Sequence, residues 1–309
     1  MSFRVAYVQL RLGGAKPKLY CLAMKQKIVA TVLMLLALAS RSAWADSRKL
    51  ETQLKADYKG KVLTLRHFYH GDHLKFHSDG SLAADATEGP WTVDGQIAVE
   101  EIRLRDSLLE IKGRRIYVIF DSKSKPQDTL TILDRYKGKD RKNAEKLLRQ
   151  SAVNIEVELP STTPASDEVA SALRAVFAVP GESLIEVVPE YWRTYFAELE
   201  GRPSIPAKPT EKLYDLRPGN GVSAPHLTFD PDPQYSEAAR KLKYQGTVVL
   251  SLLLDPAGTA RNLQITRALG LGLDERAIDA VRTWKFAPAM KDGVGVSVTI
   301  SVQMNFRLY

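Results

Sequence analysis

The chain has 309 residues, 44% hydrophobic and 26% charged, with a formal net charge of +8. Its length exceeds the ~100–200 residues of one ordinary domain, and its composition excludes a disordered or collagen-like chain. The charge is local: residues 1–45 hold seven Lys and Arg and no acid, and setting these aside from the total of 44 leaves 37 against 36 acids. A nearly neutral body has no basic footprint for nucleic acid.

In residues 1–45, Lys25 and Lys27 precede the apolar run Ile28 to Ala39, which leads to Ala43-Trp44-Ala45. This is the basic, hydrophobic and small-residue order of a secretory signal, with Met24 as the start and cleavage after Ala45. Read instead as an anchor, twelve helical residues span only ~18 Å of a ~30 Å hydrocarbon core. The single cysteine, Cys21, lies upstream of the apolar run, so the exported chain has no thiol for disulfides, metal or nucleophilic catalysis.

Residues 46–199 form the first expected domain, mainly β with added helices. Short alternating runs at Val62–Tyr69, His73–Phe76, Gln96–Leu104, Leu108–Lys112 and Arg115–Phe120, broken by residues such as Gly71-Asp72 and Asp94-Gly95, predict a small barrel or meander. A helix at Arg141–Gln150, a strand at Val153–Leu159 and helices at Asp167–Phe177 and Tyr191–Leu199 complete it. If Gly71-Asp72 is a hairpin loop, His70 faces His73 and shares a sheet face with His77, a set that invites zinc or copper. The plainer reading is a solvated face on which Arg66, Lys75 and the histidines alternate out to water. No cofactor is otherwise called for.

Residues 200–221 carry four prolines and three glycines between Gly201 and Gly221 and read as a linker. Residues 222–309 then read as helix, strand, strand, helix, strand, an α+β domain with one helical layer on an antiparallel sheet. Ser236 is the expected cap of a helix starting at Glu237, with Tyr235 packing back as a staple. Thr247–Asp255 and Ala260–Ala268 form a hairpin with Val248, Leu250, Leu252 and Leu254 on one face. Asp274 and Glu275 open a second helix at the end that favours negative charge, and Val294–Leu308 is the last strand.

The order and kind of these residues resemble the C-terminal domain of the TonB family. The likeness is carried by Pro233-Gln234-Tyr235, Gly246-Thr247-Val248-Val249-Leu250, Gly272-Leu273-Asp274, the run Val281 to Ala289 containing Trp284-Lys285-Phe286, Lys291-Asp292-Gly293 and the ending Asn305-Phe306-Arg307-Leu308. It implies a periplasmic protein that binds envelope proteins, such as TonB-dependent outer-membrane transporters, by adding a strand to an exposed sheet edge. The resemblance places that edge at Val298–Phe306, with Val298, Ile300, Val302, Met304, Phe306, Gln234 and Tyr235 as partner-binding residues. Trp284 and Phe286 read more simply as core.

The remainder departs from an energy transducer: the leader looks cleavable, the linker spans only ~60 Å even as polyproline II, and a folded domain precedes it. The alternatives are an anchored transducer in the inner membrane and a structural protein of the envelope or cell wall. Nothing points to an enzyme, since the chain lacks a Gly-x-Ser-x-Gly elbow, a His-Glu-x-x-His pair, a phosphate loop and a dinucleotide fingerprint.

Overall fold

The computed structural model describes residues 46–121, 125–128, 136–179, 181–203 and 212–308. The leader, with its expected cleavage site, lies outside them. The chain divides into residues 1–50, of which 46–50 are described and helical, and residues 51–309, one compact unit. Among the described residues no helix is long and apolar enough to cross a membrane.

Helix α1 runs to residue 58, and strands β1 (Val62–Thr64) and β2 (His73–His77) follow. After the one-turn helix α2 (Trp91–Asp94) come β3 (Gln96–Arg105), β4 (Leu108–Ile116), β5 (Val118–Phe120) and β6 (Pro126–Asp128). Helix α3 (Gly138–Arg149), β7 (Ala152–Glu158), α4 (Ser166–Val176) and α5 (Glu190–Leu199) complete this half.

Its main sheet has the order β1-β3-β4-β7-β2. Period-two alternation decides which face is buried: Ile97, Val99, Ile102 and Leu104 of β3 and Val153, Ile155 and Val157 of β7 are all nearly inaccessible to water, while the intervening charges stay outside. The sheet is open, with β1 and β2 at its edges.

The expected hairpin across Gly71-Asp72 does not form. Strand β2 instead runs parallel to β7, with His73 opposite Asn154 and His77 opposite Glu158, and the Asp72 carbonyl accepts the Asn154 N–H at 2.8 Å. Gly71-Asp72 has the local chemistry of a tight turn, but β2 buries Leu74 and Phe76 by joining a strand about eighty residues away.

The C-terminal half holds β8 (Leu213–Tyr214), β9 (Val222–Ser223), β10 (His226–Phe229), α6 (Glu237–Lys241), β11 (Gly246–Leu254), β12 (Ala260–Arg267), α7 (Leu273–Thr283), β13 (Lys285–Ala287), β14 (Ala289–Lys291) and β15 (Val294–Phe306). Its six-stranded sheet has the order β12-β11-β15-β14-β9, with β8 added parallel to β15. Val248, Leu250, Leu252 and Leu254 share the buried face, each at most 1% exposed. The molecule is therefore α+β, with helices beside mainly antiparallel sheets.

The two halves are joined through the turn before α7. Gly270 and Gly272 have φ of +96° and +77°, a region that L side chains avoid. A Cβ on Gly270 would lie 2.4 Å from the Val118 carbonyl oxygen, so only glycine lets the backbones approach. The Leu271 N–H then donates to that carbonyl at 2.9 Å, the Gly272 N–H donates to Thr92 Oγ1 at 2.8 Å, and α5 packs on β12.

Candidate functional site

Strand β15 pairs with the whole length of β11, from Val298 opposite Leu254 to Phe306 opposite Gly246. Its other side meets β14 at Val294 to Val296 and β8 at Ser297 and Val298. From Thr299 to Phe306 no strand among the described residues covers that side. Every second residue of this eight-residue stretch turns its main-chain N–H and C=O to the open side, a template for an added strand.

The pleat sorts the side chains along this edge. Val298, Met304 and Phe306 point into the core at 0%, 4% and 2% exposure, Ile300 and Val302 are half-buried, and Thr299, Ser301, Gln303 and Asn305 are exposed. The side chains open to a ligand along the strand are thus mostly the polar set between the apolar residues named from sequence. Alternation would have revealed them, once a single buried face was assumed.

Tyr235 closes one end of the edge. Its ring meets Phe306 edge-on at 5.5 Å and its hydroxyl donates to the Tyr244 carbonyl at 2.6 Å, while Gln234 beside it is exposed. Burial raises the Tyr235 pKa. Ser236 caps α6 by accepting the Ala239 N–H at 3.1 Å, and its hydroxyl donates to the Leu271 carbonyl. Because Ser236 is buried, Ser236→Ala removes a cap and strands a carbonyl. It is expected to cost about 1–2 kcal/mol, read as a lower urea midpoint at unchanged slope. Trp284 is half-buried and donates to the Pro231 carbonyl at 3.0 Å, and Phe286 is 8% exposed.

Helix α7 begins with two buried acids. Asp274 accepts the Leu269 and Gly270 N–H groups at 2.8 and 2.6 Å, and Glu275 accepts Trp192 Nε1–H at 3.2 Å and the Thr92 hydroxyl at 3.2 Å. Burial pushes both carboxyls above the usual range, and for Asp274 the adjacent Glu275 adds to it. Folded-state values above the ordinary ~4 mean the native state holds more protons than the unfolded chain, so stability falls as pH climbs from ~4 toward the raised values. Glu275→Gln removes one of the two titrations, and its thermal midpoint is expected to decline less than the parent's between pH 5 and pH 8.

The histidines are distributed over separate carboxylates. His70 Nδ1 lies 3.3 Å from Asp94 Oδ2, His73 Nε2 lies 3.3 Å from Glu156 Oε1, and His77 Nδ1 lies 3.0 Å from Glu158 Oε2. Among the described residues no group of three or more His, Cys, Asp or Glu is placed to hold a metal ion. The shared-face argument for His70, His73 and His77 rested on the hairpin, and the parallel pairing of β2 with β7 removes that basis.

Residues 231–308 match the family model described as Gram-negative bacterial TonB protein C-terminal. Protein TonB of Vibrio cholerae is 36% identical over 77 residues, which are 25% of this chain and 32% of that protein. Protein tonB2 of Pseudomonas aeruginosa is 30% identical over 26% of this chain and 30% of its own length, and Protein TonB of Escherichia coli is 32% identical over 27% and 35%. The chain thus spans about a third of these relatives. The solution NMR structure of the Pseudomonas aeruginosa TonB CTD, at 18% identity, covers 27% of this chain and 86% of that one with a TM-score of 0.25.

Proposed function

Residues 231–308 are a TonB-type C-terminal domain, and from that premise we propose that the chain is a partner-binding protein of the cell envelope, exported to the periplasm, that captures an extended segment of another envelope protein by strand addition to β15. The observation that supports this most is the edge from Thr299 to Phe306, which no strand among the described residues covers. Main-chain groups supply the affinity there, and the exposed Thr299, Ser301, Gln303 and Asn305 bias which sequence is accepted. Outer-membrane transporters are the partners that the family resemblance suggests.

The role is binding rather than catalysis, and its reading as a soluble adaptor in place of an anchored transducer rests on cleavage after Ala45. Intact-mass analysis of the purified envelope protein decides between them: a chain beginning at Asp46 supports the adaptor, and one retaining residues 25–45 supports the anchored transducer.

Partner capture is tested by placing a photoactivatable residue at Ser301 and, as a control, at Asn262 on β12, the opposite edge of the same sheet. An outer-membrane protein cross-linked from position 301 and absent from 262 is the expected result. Equal capture from both positions, or none from 301, contradicts the assignment.

A further inference from the structure

A cavity of 470 Å³ opens between the two halves of residues 51–309, within the roughly 300–1,000 Å³ of small-molecule sites. Tyr117 and Asp94, on its wall, are 6% and 1% exposed. The Asp94 carboxylate lies 3.3 Å from His70 Nδ1 and 3.1 Å from Arg115 Nη1, yet its Oδ1 has no hydrogen-bond partner among the described residues, and Tyr117 lines the same wall.

Two opposite charges on the walls are also uncommitted. Glu88, from the first half, and Arg276, from the exposed side of α7, both line the cavity, and neither side chain has an ion-pair partner among the described residues. Lys241, the other wall cation, is held by Glu237 at 2.7 Å. An unpaired guanidinium presents a planar fork matched to a carboxylate, and an unpaired carboxylate accepts from an ammonium. A purely anionic ligand would meet Glu88 and Asp94, and a purely cationic one would meet Arg276.

We propose that this cavity binds a small zwitterion, an amino acid or short peptide with both ends free, its carboxylate on Arg276, its ammonium on Glu88 and a hydrogen bond to the Tyr117 hydroxyl. Glu88 and Arg276 lie in different halves of the chain, so the bound molecule bridges them and stabilises the joined form by linkage. This inference is independent of strand addition at β15, which involves none of these three residues.

The test is calorimetric titration of the full chain with alanine and trialanine, each with free ends, and with N-acetylated and C-amidated trialanine. Saturable binding of a free-ended probe, weakened about tenfold or more by either cap and by Arg276→Ala or Glu88→Gln, is the expected result. Both side chains are exposed, so these variants are expected to keep the parental melting temperature without ligand. Undiminished binding of the capped peptides, undiminished binding by folded variants, or no saturable binding of alanine and trialanine at millimolar concentration overturns the assignment.

Discussion

Trp192→Ala is expected to be the most damaging single substitution in the chain. Trp192 is fully buried, with ring centroids of Trp91, Phe120, Tyr195 and Phe196 between 5.4 and 5.8 Å away. Truncation removes one of the two largest side chains of that cluster, for about 3–5 kcal/mol. It also removes the indole N–H that donates to Glu275, leaving a buried carboxyl short of a partner, for a further ~1–3 kcal/mol. Against a total stability of ~5–15 kcal/mol this brings the unit to the edge of unfolding.

Trp192→Phe separates the two contributions, since it keeps a ring and deletes only the donor and part of the area. It is expected to recover more than half of the loss in urea unfolding. Because Glu275 belongs to the C-terminal half, both variants are expected to destabilise α7 together with the first half, visible as one shifted transition by every probe. A C-terminal half that melts at the parental midpoint in Trp192→Ala would show that this contact does not couple them.

Arg115→Met is expected to cost about 3–5 kcal/mol, by a different route. Arg115 is 6% exposed and donates to three carbonyls, those of Asp94 at 2.7 Å, Tyr69 at 2.8 Å and Gly71 at 2.7 Å. Its Nη1 also lies 3.1 Å from Asp94 Oδ1, close enough for charge attraction although not aligned as a hydrogen bond. Methionine fills much of the volume and satisfies none of these oxygens.

The pH dependence identifies the cause. Burial raises the Asp94 pKa, and the positive charge of Arg115 opposes that rise. Without Arg115 the folded-state value climbs further, so the variant's stability is retained near pH 4 and lost as pH rises through the new value. Arg115→Met is therefore expected to be closer to the parent at pH 5 than at pH 8, and Arg115→Met with Asp94→Asn to recover part of the deficit at pH 8.

The contrast between these sites and the C-terminal sheet shows what was legible from residues alone. The buried face of Val248, Leu250, Leu252 and Leu254 follows from alternation, and the cap at Ser236 from its place before Glu237. Each is a local pattern with a local cause. Asp274 and Glu275 were legible as the first turn of a helix, yet their burial was not. Glu275 meets Thr92 and Trp192, 183 and 83 positions away, and no periodicity carries that information.

Length limited other elements. Helix α2 is a single turn, too short to show a period, although it supplies Trp91, Thr92 and Asp94 to the interior. Strands β8, β9, β13 and β14 have two or three residues each and are held by pairing rather than propensity. Gly71-Asp72 misled for the opposite reason, because a strong local turn signal was overridden by pairing with β7. For the candidate edge, Val298, Met304 and Phe306 were named for their apolar character, and that same character turns their side chains inward.

The central claim is that partners dock along β15 between Thr299 and Phe306, and amide hydrogen exchange of the full chain tests it most directly. The added ligand is a synthetic peptide from the periplasm-facing end of a transporter cross-linked from Ser301. Strand addition predicts new protection at alternate amides of residues 299–306, where main-chain groups point away from β11, with β12 unchanged. Saturable binding of the peptide with no new protection in residues 299–306 would contradict it.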